Sequence, residues 1–150
     1  CCGVGTNPIY LAEKGFDVIG LDLSDEAVKY ARNKSQKTRT TIALLVSSFL
    51  NLPFKHKTIG FVFDFGCFHH VEVENRASFI RGVNNVLKTE GMYLMVCFSY
   101  KNGPAWNHFR KDKLEELFGE YFDIKWIKHI SSVEGDKVTR YFYEILMENR

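Results

Sequence analysis

Strand-type and helix-type patterns alternate over about two thirds of the chain, and this order restricts the fold to an α/β architecture. Short apolar runs typical of strands cover residues 17–23, 41–46, 59–65 and 92–98. Helical patterns lie between and after them: one begins behind the N-cap residue Ser24 and continues to about Lys37, and others cover 74–88 and 111–118. Strands that are joined through helices pair in parallel, so the sequence predicts a parallel sheet between layers of helices.

Two details of this pattern are specific enough to be checked. The run 59–65 is apolar almost throughout, which is typical of a strand buried on both faces. Gly91 follows the helical pattern 74–88 and is expected to end that helix before the strand at 92–98.

The end of the chain follows a different pattern, because two strand patterns, 122–130 and 138–147, have no helix between them. Glu134, Gly135 and Asp136 lie in the connection and are typical of a turn, so we expect an antiparallel hairpin. The predicted fold is therefore one α/β domain over residues 1–150. It is a three-layer sandwich with a mostly parallel sheet and a C-terminal antiparallel hairpin.

Composition excludes several classes of function. The 150 residues include 20 Lys and Arg and 18 Asp and Glu, which gives a net charge of +2 and no dense basic stripe for nucleic acid. Apolar runs are far shorter than the ~20 residues of a membrane-spanning helix, so no membrane contact is expected. The four cysteines, Cys1, Cys2, Cys67 and Cys97, lack the spacing of paired metal ligands, and a reducing, cytoplasmic location is predicted.

The first block of the sequence carries a ligand-binding signal. Gly3 and Gly5 stand directly before a helical pattern, where glycines allow a close approach of the backbone and leave amides exposed. Asp22 ends the next strand, ~20 residues further on, where an acidic residue in dinucleotide-type sites accepts hydrogen bonds from ribose hydroxyls. The simpler alternative is a tight loop and an unrelated surface aspartate.

The type of nucleotide follows from what the loop lacks. A dinucleotide-binding loop has a third glycine three residues after Gly5, and this chain has Pro8 there. A phosphate-binding loop would need Gly-Lys-Ser/Thr, which is also absent. The loop thus favours a nucleoside ligand without a diphosphate, and a nicotinamide-dependent oxidoreductase becomes the less favoured alternative.

On these residues the chain resembles the class I S-adenosylmethionine-dependent methyltransferases along essentially its whole length. Cys2-Gly3-Val4-Gly5-Thr6 is similar to the latter part of that family's first motif, with Cys1 where the family usually has glycine. Asp22, within Gly20-Leu21-Asp22-Leu23-Ser24, matches the acid at the end of the family's second strand. The resemblance implies a Rossmann-like fold and S-adenosyl-L-methionine as the cofactor.

The later motifs of that family are altered here. Ser48 and Phe49 precede Leu-Pro-Phe where the family has an acid and an apolar residue, so Ser48 would meet the adenine amine and Phe49 the adenine face. Gly60 replaces the acid that opens the fourth strand. The resemblance therefore implies a cofactor-binding set at Cys2, Gly3, Gly5, Asp22, Leu23, Ser48, Phe49 and Phe65.

Candidate residues for the methyl acceptor follow the third strand pattern. His69 and Asp64 are the candidate general bases, although Asp64 is more easily understood as a positioning residue and the His69-His70 pair as ordinary packing. Phe68, Tyr100 and Trp106 are candidates for the substrate wall, with peripheral core packing as the alternative. A metal held by Cys67, His69 and His70 is disfavoured because neighbouring residues seldom converge on one ion.

The resemblance also implies an incomplete sheet, since the family's glycine loop follows a central strand and this chain begins inside the loop. We expect an N-terminally truncated piece of a longer protein, with a rearranged sheet that closes the gap as the alternative. The predicted function is methyl transfer to a small-molecule acceptor. A non-catalytic domain that binds the nucleoside or acts as a scaffold is the alternative, motivated by Cys1, Ser48 and Gly60.

Overall fold

The computed structural model describes residues 1–104, 107–133, 135 and 137–150. The chain divides into two compact units, Cys1–Pro53 and Phe54–Arg150, and each is described by itself. The expectation of a single domain over 1–150 stays a prediction.

The first unit consists of two helices and a two-stranded parallel sheet. Its elements are α1 (Thr6–Glu13), β1 (Ile19–Asp22), α2 (Asp25–Thr38) and β2 (Ala43–Val46). The strands pair in parallel from Ile19 opposite Ala43 to Asp22 opposite Val46. Helix α2 begins as predicted, because the Oγ of Ser24 accepts a hydrogen bond from the Ala27 amide at 3.1 Å.

The second unit contains a four-stranded mixed sheet. Its elements are β3 (Ile59–Phe65), α3 (Arg76–Val86), β4 (Leu87–Phe98), α4 (Lys111–Phe118), β5 (Phe122–Val133) and β6 (Thr139–Asn149), with short 3-10 turns at Phe68–His70, Val73–Asn75 and Tyr100–Asn102. The strand order is β3-β4-β6-β5, in which β3 and β4 are parallel and β6 is antiparallel to both of its neighbours. The C-terminal hairpin of β5 and β6 is thus confirmed, while Glu134 and Asp136, which the sequence predicts for its turn, lie outside the described residues.

The sheet differs from the predicted one in its composition. The described strands form a two-stranded and a four-stranded sheet, and their pairings are parallel for β1–β2 and β3–β4 but antiparallel for β4–β6 and β5–β6. "Mostly parallel" is therefore corrected to mixed. The alternative of one rearranged sheet that closes the gap is also wrong, because β1 and β3 belong to different sheets.

Strand β3 is not buried on both faces as its apolar sequence predicts. Phe61 is 36% exposed and Phe65 is 57% exposed, whereas Asp64, with its side chain on the opposite face, is 5% exposed. Side-chain burial therefore alternates along β3, and only one face of the strand packs into the core, although the sequence is apolar on both faces.

The junction of α3 and β4 also differs from the expectation. Helix α3 ends at Val86 and β4 begins at Leu87, which pairs with Ile59, so Gly91 lies inside the strand. The pairing then moves to Phe61 opposite Met92, and the residues between form a bulge. A Cβ on Gly91 would lie 2.8 Å from the carbonyl oxygen of Lys88, so this glycine permits the bulge rather than ending a helix.

The core of the second unit lies against one face of its sheet. Phe68, Tyr93, Phe118 and Phe122 are fully buried there, and Phe68 stacks on Phe109 with ring centroids 5.1 Å apart. None of the helices in the described ranges combines the length and apolar composition needed to cross a membrane.

Two asparagine side chains replace missing strand neighbours. Beyond the end of β4, Asn102 pairs with the backbone of Tyr141: its Nδ2 donates to the carbonyl oxygen at 2.6 Å, and its Oδ1 accepts from the amide at 2.9 Å. The same Nδ2 also donates to the Ser99 carbonyl at 3.0 Å. The β4–β6 pairing is thereby prolonged by a side chain.

At the other end of the sheet, we expect Asn149→Ala to lower the free energy of unfolding by about 2–4 kcal/mol. The buried Nδ2 of Asn149 donates to the carbonyl oxygens of Asn84, Leu87 and Lys88 at 3.2, 3.0 and 3.2 Å, and its Oδ1 accepts from the Asn84 amide group at 2.6 Å. Urea denaturation measures the loss. Asn33→Ala, at an exposed position of α2, is the matched control and is expected to change stability by less than about 0.5 kcal/mol.

Candidate functional site

The glycine loop of the first unit is folded against the carboxyl end of β1. Gly3 and Gly5 both adopt left-handed backbone conformations, with φ of 53° and 84°. The amide of Cys2 donates to the carbonyl oxygen of Leu21 at 2.6 Å, and the amide of Gly5 donates to that of Cys2 at 3.1 Å. These bonds hold the loop beside the strand end that carries Asp22.

The two glycines serve different purposes. A Cβ on Gly5 would lie 2.8 Å from the Cβ of Ala31, so the absence of a side chain lets the loop pack directly on α2. A Cβ on Gly3 would meet nothing within 4 Å. Gly5 is therefore required by packing, while Gly3 leaves open space that a ligand can enter.

Asp22 connects the loop to the start of α2. Its Oδ2 accepts a hydrogen bond from the Gly3 amide at 2.8 Å, and its Oδ1 accepts one from the Ser24 amide at 3.0 Å. A carboxylate offers about four lone-pair sites, so about two remain for the hydroxyls of a ribose. The structure thus places Asp22 beside the glycines, as predicted, and adds a role in holding the loop that the sequence did not reveal.

Cys2 and Leu23 border this group. Burial, together with the negative charge of Asp22, raises the pKa of the Cys2 thiol, so the thiol stays protonated and is not an activated nucleophile. Leu23 is 58% exposed between Asp22 and Ser24. Both residues are therefore suited to contact a ligand through apolar or backbone groups.

Ser48 and Phe49 follow β2 at the same edge of the sheet. Asp22 pairs with Val46, and the carboxyl ends of the two parallel strands consequently coincide. The Oγ of Ser48 accepts a hydrogen bond from the Leu50 amide at 3.1 Å, which leaves its hydroxyl proton available to a ligand. Phe49 is half-buried. The structure therefore gathers the predicted cofactor residues of this unit at one sheet edge.

Phe65, the remaining cofactor candidate, ends β3 in the second unit. Its ring is 57% exposed and lies 6.4 Å from the ring of Phe63. Its contact with a cofactor stays a prediction.

Asp64 holds the turn that follows its own strand. It accepts hydrogen bonds from the amides of Cys67 at 2.6 Å and Phe68 at 3.2 Å, and from the hydroxyl of Tyr93 at 3.1 Å. Burial raises the pKa of the carboxyl, against the effect of these donors. These three donors take up most of the buried carboxyl group, so the geometry favours the positioning role, and a role of Asp64 as a base or ligand contact stays a prediction.

His69 lies on the same turn and is 6% exposed. Its Nδ1 accepts a hydrogen bond from the Phe98 amide at 3.3 Å, and its ring stacks on the Phe98 ring with centroids 4.1 Å apart. Its carbonyl oxygen accepts from the Nδ2 of Asn107 at 2.5 Å, and Arg76 donates to the Oδ1 of Asn107 at 2.7 Å. The imidazole is thus fixed at the carboxyl ends of β3 and β4.

This environment predicts a loss of stability in acid. Burial, with a smaller contribution from His70, lowers the pKa of His69 from 6.5 to about 4. Between these values the unfolded chain binds more protons than the folded chain, so stability falls as the pH decreases from 6.5 towards 4. His69 accounts for up to about 3 kcal/mol of this fall.

Urea denaturation at pH 7.5, 6 and 5 tests this, with His69→Asn as the reference. Asp64 has a raised pKa and acts in the opposite direction, but it is present in both proteins and cancels from the comparison. The wild type is expected to lose its advantage over His69→Asn as the pH falls. A constant difference between the two would contradict the assignment.

The predicted substrate residues are dispersed. Phe68 is fully buried among the rings of Phe79, Phe109 and Phe118, so its prediction as a substrate wall is corrected to core packing. Tyr100 is 38% exposed, with the guanidinium of Arg110 4.9 Å from the centre of its ring, and it remains a candidate. Trp106 lies outside the described residues.

Among the described residues no group of three or more His, Cys, Asp and Glu side chains is placed to hold a metal ion. Sequence reasoning missed Gly66, Phe98 and Asn107, which surround or fix His69. Of these only Gly66 carried a signal, a glycine directly after a strand, and it has a left-handed φ of 87°.

Sequence comparison identifies relatives of this chain. A family model for the methyltransferase domain matches residues 1–91. Norajmaline N-methyltransferase of Rauvolfia serpentina is 28% identical over 120 residues, which are 77% of this chain and 40% of that protein. The 2-heptyl-1-hydroxyquinolin-4(1H)-one methyltransferase of Mycobacteroides abscessus is 24% identical over 130 residues, 82% of this chain and 56% of that protein. The chain therefore spans about half the length of these two relatives.

Structure comparison agrees on the fold. The crystal structure of a SAM-dependent methyltransferase from Methanosarcina mazei aligns with a TM-score of 0.86 at 20% identity, and the alignment covers 99% of this chain and 89% of that chain. The glycine loop bonded to Asp22 is thus found within a Rossmann-like methyltransferase fold with a mixed sheet. The chain belongs to the methyltransferase domain family, in the class I S-adenosylmethionine-dependent group that its loop and Asp22 resemble.

Proposed function

We propose that the protein transfers the methyl group of S-adenosylmethionine to a small-molecule acceptor. The observation that carries the proposal is the hydrogen bond between the Gly3 amide and the Asp22 carboxylate, at the sheet edge where the open space above Gly3 lies. A nucleoside ligand requires both a close approach to backbone amides and an acceptor for its hydroxyls. This unit supplies a glycine backbone with open space beside it and, bonded to that glycine, a carboxylate with unused lone pairs.

The residues of the first unit fit the cofactor in chemical terms. The remaining lone pairs of Asp22 would accept the ribose hydroxyls, and the hydroxyl of Ser48 would bond a polar edge of the adenine. Phe49 and Leu23 would contact its apolar faces. The bound cofactor supplies a sulfonium methyl group, which is transferred when the acceptor forms a bond to carbon and the carbon–sulfur bond breaks.

A transfer of this kind asks the protein mainly to orient the acceptor and to exclude water. In the second unit, Phe65 ends β3 and Tyr100 follows the end of β4, both with partly exposed rings, and His69 is bonded to the last residue of β4. Aromatic rings with one polar group suit a small organic acceptor. The near-neutral charge of the chain and the small-molecule names of two relatives support the same substrate class.

Two experiments in sequence test the proposal. Calorimetric titration with S-adenosylmethionine, S-adenosylhomocysteine and NAD identifies the nucleotide, and we expect the first two to bind and NAD not to bind. A mixed panel of small amines, thiols, phenols and heteroaromatic hydroxyls is then screened for release of S-adenosylhomocysteine. Binding without turnover of any acceptor would favour the non-catalytic alternative, and binding of NAD alone would favour an oxidoreductase.

A further inference from the structure

The imidazole of His69 takes the place of a strand neighbour. The last backbone bond between β3 and β4 runs from the Gly66 amide to the Val96 carbonyl oxygen at 3.0 Å. The next donor on that side of β4 is the Phe98 amide, and the Nδ1 of His69 accepts from it at 3.3 Å. A ring nitrogen thus serves where a backbone carbonyl of β3 would otherwise accept.

This bond determines which ring nitrogen carries the proton. A backbone N–H can only donate, so Nδ1 must keep its lone pair, and in a neutral imidazole Nε2 then carries the hydrogen. The low pKa of His69, about 4, agrees with a neutral ring at physiological pH. Reversal of the tautomer would place two N–H donors against each other at Nδ1.

The ring cannot readily turn away from this arrangement. It is stacked on Phe98 with an interplanar angle of 20°, and the ring of His70 lies against it with centroids 4.5 Å apart. Asn107 fixes the backbone of His69 and is itself held by Arg76. The direction of the Nε2–H bond is therefore set by the fold.

The Nε2 atom faces a position that is kept free of side chain. A Cβ on Gly66 would lie 3.3 Å from the Cε1 and 3.6 Å from the Nε2 of His69. Within the described ranges Nε2 makes no hydrogen bond. Every fully buried side-chain nitrogen or oxygen there has a partner, so Nε2 is not fully buried. His69 is only 6% exposed, and its Nε2–H group therefore belongs to the small accessible part of the side chain, beside Gly66.

We propose that His69 binds the methyl acceptor through its Nε2–H group, as a fixed hydrogen-bond donor rather than as a general base. The group it recognises is an oxygen or nitrogen atom with a free lone pair, such as a ring nitrogen, a carbonyl oxygen or an oxyanion. Acceptors that carry such an atom beside the nucleophile are selected. The identity of the ligand in this inference rests on the proposed function. The tautomer and charge of the His69 ring do not depend on it.

The first test therefore needs no ligand. Nitrogen-15 NMR of the histidine side chains gives the tautomer and the titration curve of each ring. The chain has five histidines, and the signals of His69 are those that disappear in His69→Asn. We expect a neutral ring with the proton on Nε2 at pH 7. A proton on Nδ1, or titration near the ordinary pKa of a histidine, would overturn the inference. The neighbours with charge are His70, whose ring lies against that of His69 and whose charge lowers the pKa of His69, and Arg76, which bonds Asn107 and stays charged throughout.

Two substitutions separate the two ring nitrogens in the active protein. His69→Asn keeps an acceptor near the position of Nδ1 and removes the donor at Nε2, whereas His69→Gln extends an amide donor towards the position of Nε2 and removes the acceptor. With an acceptor identified by the screen, we expect KM for that acceptor to rise about tenfold or more in His69→Asn and to stay within about threefold in His69→Gln. The affinity for S-adenosylmethionine is expected to stay unchanged in both.

A general base would give a different result. Both variants would then lose kcat to a similar degree, and the limb of the pH–rate profile that the base produces would disappear from both. An unchanged KM in His69→Asn would equally overturn the inference. If the wild type neither binds S-adenosylmethionine nor turns over any acceptor, the proposed function fails, while the NMR result still decides whether His69 is a fixed donor.

Discussion

Asp22→Asn is expected to weaken the binding of S-adenosylmethionine by roughly 100-fold in calorimetric titration, since hydrogen bonds to a charged acceptor contribute about 1.5–3 kcal/mol each. The carboxylate accepts from Gly3 and Ser24, and its remaining lone pairs are those assigned to the ribose. An asparagine has one acceptor oxygen, so its NH₂ group must face a backbone donor or the ribose hydroxyls. The loop and the ligand therefore lose partners together.

Asp25→Asn is the control for this experiment. Asp25 also lies at the start of α2 and carries the same charge, but it is exposed and forms an ion pair with Lys29 at 2.5 Å. Its replacement is expected to change the affinity by less than about twofold, because surface ion pairs contribute little. Equal affinities in wild type, Asp22→Asn and Asp25→Asn would show that the carboxylate of Asp22 does not contact the cofactor.

The second large effect is expected for Gly5→Ala, which lowers the free energy of unfolding by about 3 kcal/mol. The new methyl group would lie 2.8 Å from the Cβ of Ala31, on a residue whose φ is 84°. Either the backbone leaves the left-handed region or α2 moves away from the loop. Urea denaturation measures the loss, and titration with S-adenosylmethionine is expected to show no binding at concentrations that saturate the wild type.

Gly3→Ala is the comparison that separates packing from ligand contact. Its φ is 53° and nothing lies within 4 Å of the added Cβ, so the cost is limited to the backbone, about 1–2 kcal/mol. Binding should nevertheless be weakened strongly, because the methyl group enters the space assigned to the cofactor. If Gly3→Ala binds S-adenosylmethionine as the wild type does, that space is not where the ligand lies.

Local signals explain what the sequence predicted. Ser24 with the acidic first turn marked the start of α2, and the pair of glycines marked the loop before α1. The absence of a helix between the last two strands marked the hairpin. In each case the signal and the structure it specifies lie within a few residues of each other, so no knowledge of tertiary packing was needed.

The errors concern contacts between distant parts of the chain. Asp64 bonds Tyr93 and His69 bonds Phe98, and each pair is separated by 29 residues. The sequence placed Asp64 at the end of a strand and His69 just after it, but their distant partners determine that Asp64 closes a buried turn and that the Nδ1 of His69 accepts from a backbone amide. Likewise, the start of β4 depends on the pairing of Leu87 with Ile59, which overrides the helical spacing that continues through that residue.

The asparagine that pairs with Tyr141 is also a candidate for deamidation during storage. Asn102 precedes Gly103, and an Asn-Gly pair deamidates when the glycine nitrogen attacks the side-chain carbonyl carbon. Here the amide of Gly103 donates to the carbonyl oxygen of Tyr100 at 3.1 Å, and the side chain of Asn102 is held on Tyr141. Neither group is free to react, so conversion to aspartate requires the end of β4 to open first. The rate at which this residue gains one unit of mass in storage thus reports how often that end of the sheet opens.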